Sequence, residues 1–246
     1  MRMTMIILMT GSEGYIGSHL KPYLETKELP RAHTTSPQIK VEPYVGDICN
    51  FYMSYIPDFI IHLAALTGVR KSVDNPEEYH HVNVIGTRKI FKYAEHHNIP
   101  LLFASSSNAL EVNNPYAQTK LTNEQERPTN SVGVRPHTVY PGRPDMLYQK
   151  LLKGKVEYIQ GNHYRDFTHI DDFCSAIFII IEHYDSLVGD VIDIGSGMSV
   201  SVLEVAKSMG FTGEVRYDET PTERKTTCAN IGSLIKYGWK PEKRIL

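Results

Sequence analysis

Short, continuous apolar runs alternate along this chain with longer segments whose apolar positions recur at helical spacing. "MIILM" (5–9), the start of "DFIIHLAAL" (58–66), "PLLFASSS" (100–107) and "SVGVRP" (131–136) predict strands. "GYIGSHLKPYLET" (14–26) predicts a helix. So does "EEYHHVNVIGTRKIFKYAEHHN" (77–98), where Val82, Ile85, Ile90, Phe91 and Ala94 fall at helical spacing. "AQTKLTNEQER" (117–127) predicts another, stopped by Pro128, which has no amide hydrogen to continue a helix. Strands that are apolar throughout are buried on both faces. The β-then-α rhythm therefore predicts an α/β fold, a doubly wound parallel sheet covered on both sides.

Beyond residue 140 the rhythm loosens, and proline and glycine cluster in "YPGRPDM". Short strands ("EYIQ", "VIDIG", "EVRYD") and helices near 171–185 and 201–209 predict a smaller C-terminal substrate lobe. The expected division is 1–136 for the main domain and 137–246 for the lobe, partly interleaved with it. No internal repeat or low-complexity linker interrupts either part.

Composition narrows the function classes. The 246 residues carry a formal net charge of -2 without a block of like charges, which argues against nucleic-acid and membrane-surface partners. No apolar run approaches the roughly 20 residues that span a bilayer. The opening "MRMTMIILMT" runs straight into a glycine loop and reads as a buried first strand rather than a leader. Cys49, Cys174 and Cys228 are far apart with no CxxC, so a reducing cytoplasm is expected and a disulfide framework is not. The histidine pairs His80–His81 and His96–His97 point about 100° apart on a helix and chelate poorly, so no protein-bound metal is expected.

Chemistry first appears in "TGSEGYIGSHL" (10–20), where Gly11, Gly14 and Gly17 stand between a strand and a helix. The first glycine permits the tight turn, the second lets backbone approach a diphosphate, and the third lets helix and strand pack closely. The helix N-terminus then meets the diphosphate with free amides and the positive end of its dipole. This makes the sheet Rossmann-type, with Glu13, Tyr15 and Ile16 completing the loop. An acid is expected about 20 residues on, to bond the adenosine ribose. "LPRAHTTS" (29–36) has none, and Arg31, His33, Thr34, Thr35 and Ser36 would suit a 2′-phosphate. Glu13 would repel that phosphate, so NAD is expected, with NADP as the alternative. Asp47 is placed near the adenine or in a simple turn.

"NNPYAQTK" (113–120) sets Tyr116 and Lys120 four apart, on one helical face. A phenol titrating near 10 needs help to act as a base, and a nearby ammonium favours the phenolate. A serine from the end of the preceding strand would bond the substrate oxygen.

With TGxxGxxG, "HLAA" (62–65), "ASS" (104–106) and YxxxK, the chain resembles the extended short-chain dehydrogenase/reductases, in the nucleotide-sugar epimerase/dehydratase branch. The resemblance implies catalytic Ser106, Tyr116 and Lys120, with Ser107 the second choice for the serine. It places Ile48, Leu63, Ala64, Ala65 and Tyr140 beside the cofactor. It also implies that a sugar hydroxyl loses its proton to the tyrosinate while its carbon gives hydride to bound NAD, making a 4-keto sugar. In 4,6-dehydratases Asp-Glu follows the serine position, and UDP-glucuronate decarboxylases carry Glu at the second of these places. Ser107–Asn108 stand there in this chain, which favours simple epimerisation.

"VRPHTVYPGRPDM" (134–146) and "RDFTHIDD" (165–172) resemble segments of UDP-glucuronate 4-epimerases. That implies a UDP-sugar substrate, best matched by UDP-glucuronate/UDP-galacturonate. Arg165 would hold the diphosphate, Arg143 would sit near the carboxylate or diphosphate, and Thr138, Tyr140 and Pro141 would line the nicotinamide and sugar region. Arg224 or Arg216 would replace a missing diphosphate arginine, and Arg70 is either a further anion contact or a solvated arginine. The Ser106-to-Tyr116 connection is shorter than in relatives. Two other readings stay open: an NAD(P)H-dependent 4-ketoreductase or dehydrogenase of another nucleotide sugar, and a catalytically silent dinucleotide-binding protein. Relatives pair through the helices after the fourth strand and around YxxxK, which implies a homodimer.

Overall fold

The computed structural model describes residues 4–29 and 37–246. In chain order it builds β1 (Thr4–Thr10), α1 (Tyr15–Glu25), β2 (Gln38–Pro43), β3 (Phe59–His62), α2 (Val69–Asp74), α3 (Pro76–His80), α4 (Thr87–His96), β4 (Leu101–Ala104), α5 (Pro115–Glu126) and β5 (Ser131–Pro136). Then come β6 (Thr138–Tyr140), α6 (Leu147–Leu152), β7 (Tyr158–Gln160), β8 (Tyr164–His169), α7 (Ile170–Glu182), α8 (Tyr184–Leu187), β9 (Val191–Ile194), β10 (Ser199–Ser201), α9 (Val202–Ser208), β11 (Glu214–Arg216) and α10 (Gly232–Ile235).

A parallel sheet in the order β2-β1-β3-β4-β5-β9 forms the centre, as the continuous apolar strands predict. Alternate side chains of β1 serve opposite faces. Ile7 and Met9 join Leu20 and Leu24 of α1 and Phe173, Ile177 and Ile180 of α7. Leu8 packs with Ile60, Phe103 and the α4 residues Ile90 and Phe91. The fold is Rossmann-like, helices on both faces of one parallel sheet. A smaller core of Tyr140, Leu151, Ile159, Phe167, Val202 and Val205 underlies two minor sheets, β10-β8-β6 and β11-β7. The chain crosses back between these, because α7 and β9 belong to the large sheet's layers. No helix among the described residues is long and apolar enough to cross a membrane.

Two local features differ from the sequence expectation. The helix expected over 77–98 is interrupted by a π-helical turn at His81–Gly86. Asn83 explains it: its side chain is buried and accepts from Leu66 N at 2.7 Å while donating to Leu66 O at 2.9 Å. Its own carbonyl accepts from Asn123 Nδ2 at 2.9 Å, so a side chain satisfies it there. The strand that pairs with β1 on its outer side is Gln38–Pro43, beyond the stretch in which an acid was expected. Arg31, His33, Thr34, Thr35 and Ser36 lie outside the described residues.

Candidate active site

The glycine loop follows β1 directly. Gly11 adopts φ +71°, and a Cβ there would come within 2.7 Å of Ala64 N. A Cβ on Gly17 would come within 2.3 Å of Gly11 O, so only glycine lets α1 start against the strand. Glu13 is exposed in the loop, and Gly14 caps α1 with no side-chain acceptor for its first amides. Tyr15 and Ile16 form the first turn. On the neighbouring strand, Leu63, Ala64 and Ala65 leave the end of β3, and Ala64 N donates to Thr10 Oγ1 at 3.2 Å.

His62, buried beneath that junction, bridges Thr10 Oγ1 (2.7 Å) and Thr87 Oγ1 (2.9 Å). Burial, with Lys120 nearby, pushes its pKa down to about 3, so it is a neutral spacer. Asp47 caps the short turn Ile48–Asn50, accepting from Cys49 N at 2.8 Å and Asn50 Nδ2 at 3.3 Å.

β4 ends in three buried serines. Ser106 Oγ accepts from Asn108 N and Asn108 Nδ2, both at 3.2 Å, which leaves its O–H to donate. The short connection closes as a helical turn, Ser107–Leu110, and leaves Leu110 and Val112 exposed. Asn114 then caps α5, accepting from Ala117 N at 2.8 Å, with Pro115 in the first helical position. Tyr116 lands in the first turn, its amide held by Ser72 Oγ at 3.1 Å and its ring edge-on to Tyr79 at 6.3 Å. One turn later Lys120 is buried, donating from Nζ to Ala104 O at 2.8 Å, with Nζ 5.9 Å from the centre of the Tyr116 ring.

Burial raises the Tyr116 pKa, and the Ser106 hydroxyl and then the Arg143 guanidinium pull it down. Lys120 is itself desolvated, its pKa lowered to about 8 against the pull of Glu124 one turn on. Glu124 is largely spoken for: Arg135 clamps it with two bonds, 2.8 and 2.7 Å, and Ser105 donates to it. Asn83, His62, Glu124 and Arg135 escaped the sequence reading because their partners lie far away along the chain.

The remaining predicted residues fall into two groups. Arg143, paired with Asp145 at 3.0 Å, lines a cleft of about 320 Å³ with Ala65, Leu66, Thr67 and Tyr79. This cleft runs from the segment after β3 to the α3 residue Tyr79, whose ring meets that of Tyr116 edge-on. Thr138 and Tyr140 sit on β6, with the Tyr140 ring 5.1 Å from that of His169. The second group is cationic. Arg165 donates from Nη1 to the carbonyls of Tyr164 and Lys225, each at 2.9 Å, and from Nη2 to His163 Nδ1 at 3.3 Å. Arg224 donates from Nη1 to Ser107 O at 2.7 Å, which ties this group to the serine turn. Arg216 instead pairs with Glu214 and lies 4.0 Å from the Tyr158 ring centre, so Arg224 has the better placement of the two. Among the described residues no group of three or more His, Cys, Asp or Glu is arranged to hold a metal.

The NAD dependent epimerase/dehydratase family matches residues 7–195, most of the chain. The chain belongs to this family. Its cofactor is accordingly NAD. Among relatives of the family, Protein CapI of Staphylococcus aureus is 29% identical, with 98% of this chain and 95% of that protein covered. That alignment runs over 318 residues against the 246 present here, so the relative carries segments this chain lacks. The structure of MoeE5 in complex with UDP-glucuronic acid and NAD is 26% identical with a TM-score of 0.81, covering 97% of this chain and 94% of that one. UDP-glucuronic acid 4-epimerase from Bacillus cereus shares the fold at a TM-score of 0.82 and 24% identity, covering 98% and 95%.

The residues present fit the dinucleotide. Gly11 and Gly17 let the loop close against β3 and α1, where any Cβ would strike backbone, and α1 brings uncapped amides to the loop over an eleven-residue helix.

Proposed function

We propose that this protein is an NAD-dependent UDP-sugar 4-epimerase acting on UDP-glucuronate and UDP-galacturonate. One observation carries the reading. Ser106, Tyr116 and Lys120 meet at the end of β4, while the two positions after Ser106 hold no carboxylate, and Asn108 turns its amide back onto Ser106 Oγ. Elimination or decarboxylation needs an added acid or base, and none stands there. Gly11, Glu13, Gly14, Tyr15, Ile16, Gly17, Asp47, Ile48 and Leu63 to Ala65 would hold the cofactor, with Tyr140 beside it. NAD held there would supply a reversible hydride acceptor for C4 of the sugar.

The chain's own residues handle the proton. Ser106 donates to the C4 oxygen and orients it, and the Tyr116 oxygen accepts the C4 hydroxyl proton and later returns it. Arg143 favours the phenolate. The ammonium of Lys120, fixed by Ala104 O, adds positive charge beneath the ring. Arg165 and Arg224 bind the diphosphate, with Ser107 and Thr138 along the sugar. Residues 1–136 act as the NAD-binding domain and 137–246 as the interleaved substrate lobe. We place the enzyme in the cytoplasm, in keeping with three free cysteines. A homodimer through α4 and α5 would join polar faces, since Lys89, Lys92, Glu95 and Gln118 point outward there. Salt would weaken that contact.

Incubation with UDP-glucuronate and NAD, read by anion-exchange chromatography, tests the reading. UDP-galacturonate forms without net NADH. A 4-keto product with stoichiometric NADH would instead mark a dehydrogenase, and no conversion by folded, NAD-loaded protein would refute the epimerase.

A further inference from the structure

The arginine cluster already contains a carboxylate. Glu223 accepts from Arg70 Nε at 3.1 Å, and its other oxygen lies 4.0 Å from His163 Nδ1, the nitrogen to which Arg165 donates. Glu223 also acts on Arg165 more strongly than Arg224 does, and its charge works against the burial that lowers the Arg165 pKa. Arg165 donates to two carbonyls and an imidazole, so its charge is met at longer range by the Glu223 carboxylate. His163 is held on its other side by Thr220 Oγ1 at 2.9 Å, and burial lowers its pKa, which favours the neutral ring. The neighbouring cation Arg224 pairs weakly with exposed Glu111 at 3.3 Å. Glu223 therefore stands where an anion is wanted, on a tether that is easily released: Arg70 is 72% exposed, and an ion pair so open to water holds weakly.

We propose that Glu223 is an internal stand-in for the substrate's phosphate, and that a nucleoside diphosphate binds by displacing it from the Arg165–Arg224 cluster. This rests on the reading of that cluster as the diphosphate site. A diphosphate brings more charge and more acceptor oxygens than one carboxylate, and forms bidentate bonds with guanidinium groups that Glu223 reaches only at a distance. Displacement lowers apparent affinity by whatever Glu223 gains in the free protein. The tether thereby sets the binding constant and hinders weakly charged ligands from settling in the cluster.

Titration calorimetry with UDP on the NAD-loaded protein tests this. Glu223→Gln, close in shape and uncharged, binds UDP about fivefold tighter than the parent, the fold-change expected for loss of one such pair. Glu223→Asp, which keeps the charge, stays within about twofold of the parent. UDP binding that is unchanged or weaker in Glu223→Gln, with melting temperature preserved, overturns the displacement; weaker binding would mark Glu223 as a ligand contact. If parent and Glu223→Gln both fail to bind UDP, the diphosphate reading of the cluster falls, and the displacement with it. UMP serves as the control: its gain in Glu223→Gln matches that of UDP if both must displace the carboxylate, and the absence of any gain with either ligand contradicts the proposal.

Discussion

Lys120 and Arg165 are both cations withdrawn from water, and the protein treats them differently. Lys120 lies in a packed layer between β4 and α5, bonded to one carbonyl, with its helical neighbour Glu124 engaged by Arg135. Its pKa falls to about 8, within reach of solution pH. Arg165 sits on β8 of a minor sheet, bonded to two carbonyls and a histidine, with the charges of Glu223 and Arg224 near it. Burial lowers its pKa too, yet a guanidinium starts so high that it keeps its charge. A cation whose proton can be lost suits a place beside a proton-accepting phenol. A permanent planar cation suits an anion that must bind and leave intact.

The sharpest way to separate these regions is to damage one and read the other. Tyr116→Phe removes the proton acceptor and lowers kcat by about 10²–10⁴-fold, with UDP affinity unchanged by calorimetry. A matching loss of UDP affinity would join the regions into one. The converse change, Arg165→Lys, keeps the charge and loses the planar fork. It raises KM for the UDP-sugar by about tenfold, with kcat within a few-fold. A fall in kcat at constant KM would contradict the division.

A smaller effect follows from the Lys120 pKa. Between about pH 8 and its ordinary pKa of 10.5, the unfolded chain holds a proton that the native protein has lost, so native stability rises with pH across that window. Below about pH 8 both states are protonated and the full cost of burying the ammonium remains, on the order of 3 kcal/mol. Lys120→Met is therefore inactive yet melts above the parent at pH 7, and the gap narrows as pH climbs towards 10 in thermal scans. A lower melting temperature at pH 7 would mean that the bond to Ala104 outweighs desolvation.

Local features were legible in the sequence. The glycine loop, the strands and the Tyr116–Lys120 face each depend on neighbours within a few residues, and periodicity reports those. The groups that tune the site were not. Arg143 reaches Tyr116 across a fold in the chain, Asn83 clamps Leu66 by bending its own helix, and Glu223 meets Arg70 from the other end of the sequence. Such partners are chosen by packing, and no spacing rule announces them. Helical spacing put Lys120 on the tyrosine's face, and there it lies, but its burial and lowered pKa depend on packing that spacing does not report.

The central claim is that Tyr116 and its neighbours let hydride leave and return at C4 of a UDP-sugar with no acid or base acting elsewhere on the ring. UDP-glucuronate turned over in D2O and followed by proton NMR tests this most directly. The account predicts UDP-galacturonate that keeps its original hydrogen at C4 and takes up no deuterium at C5. Deuterium at C5, or a 4-keto or decarboxylated product, would contradict it.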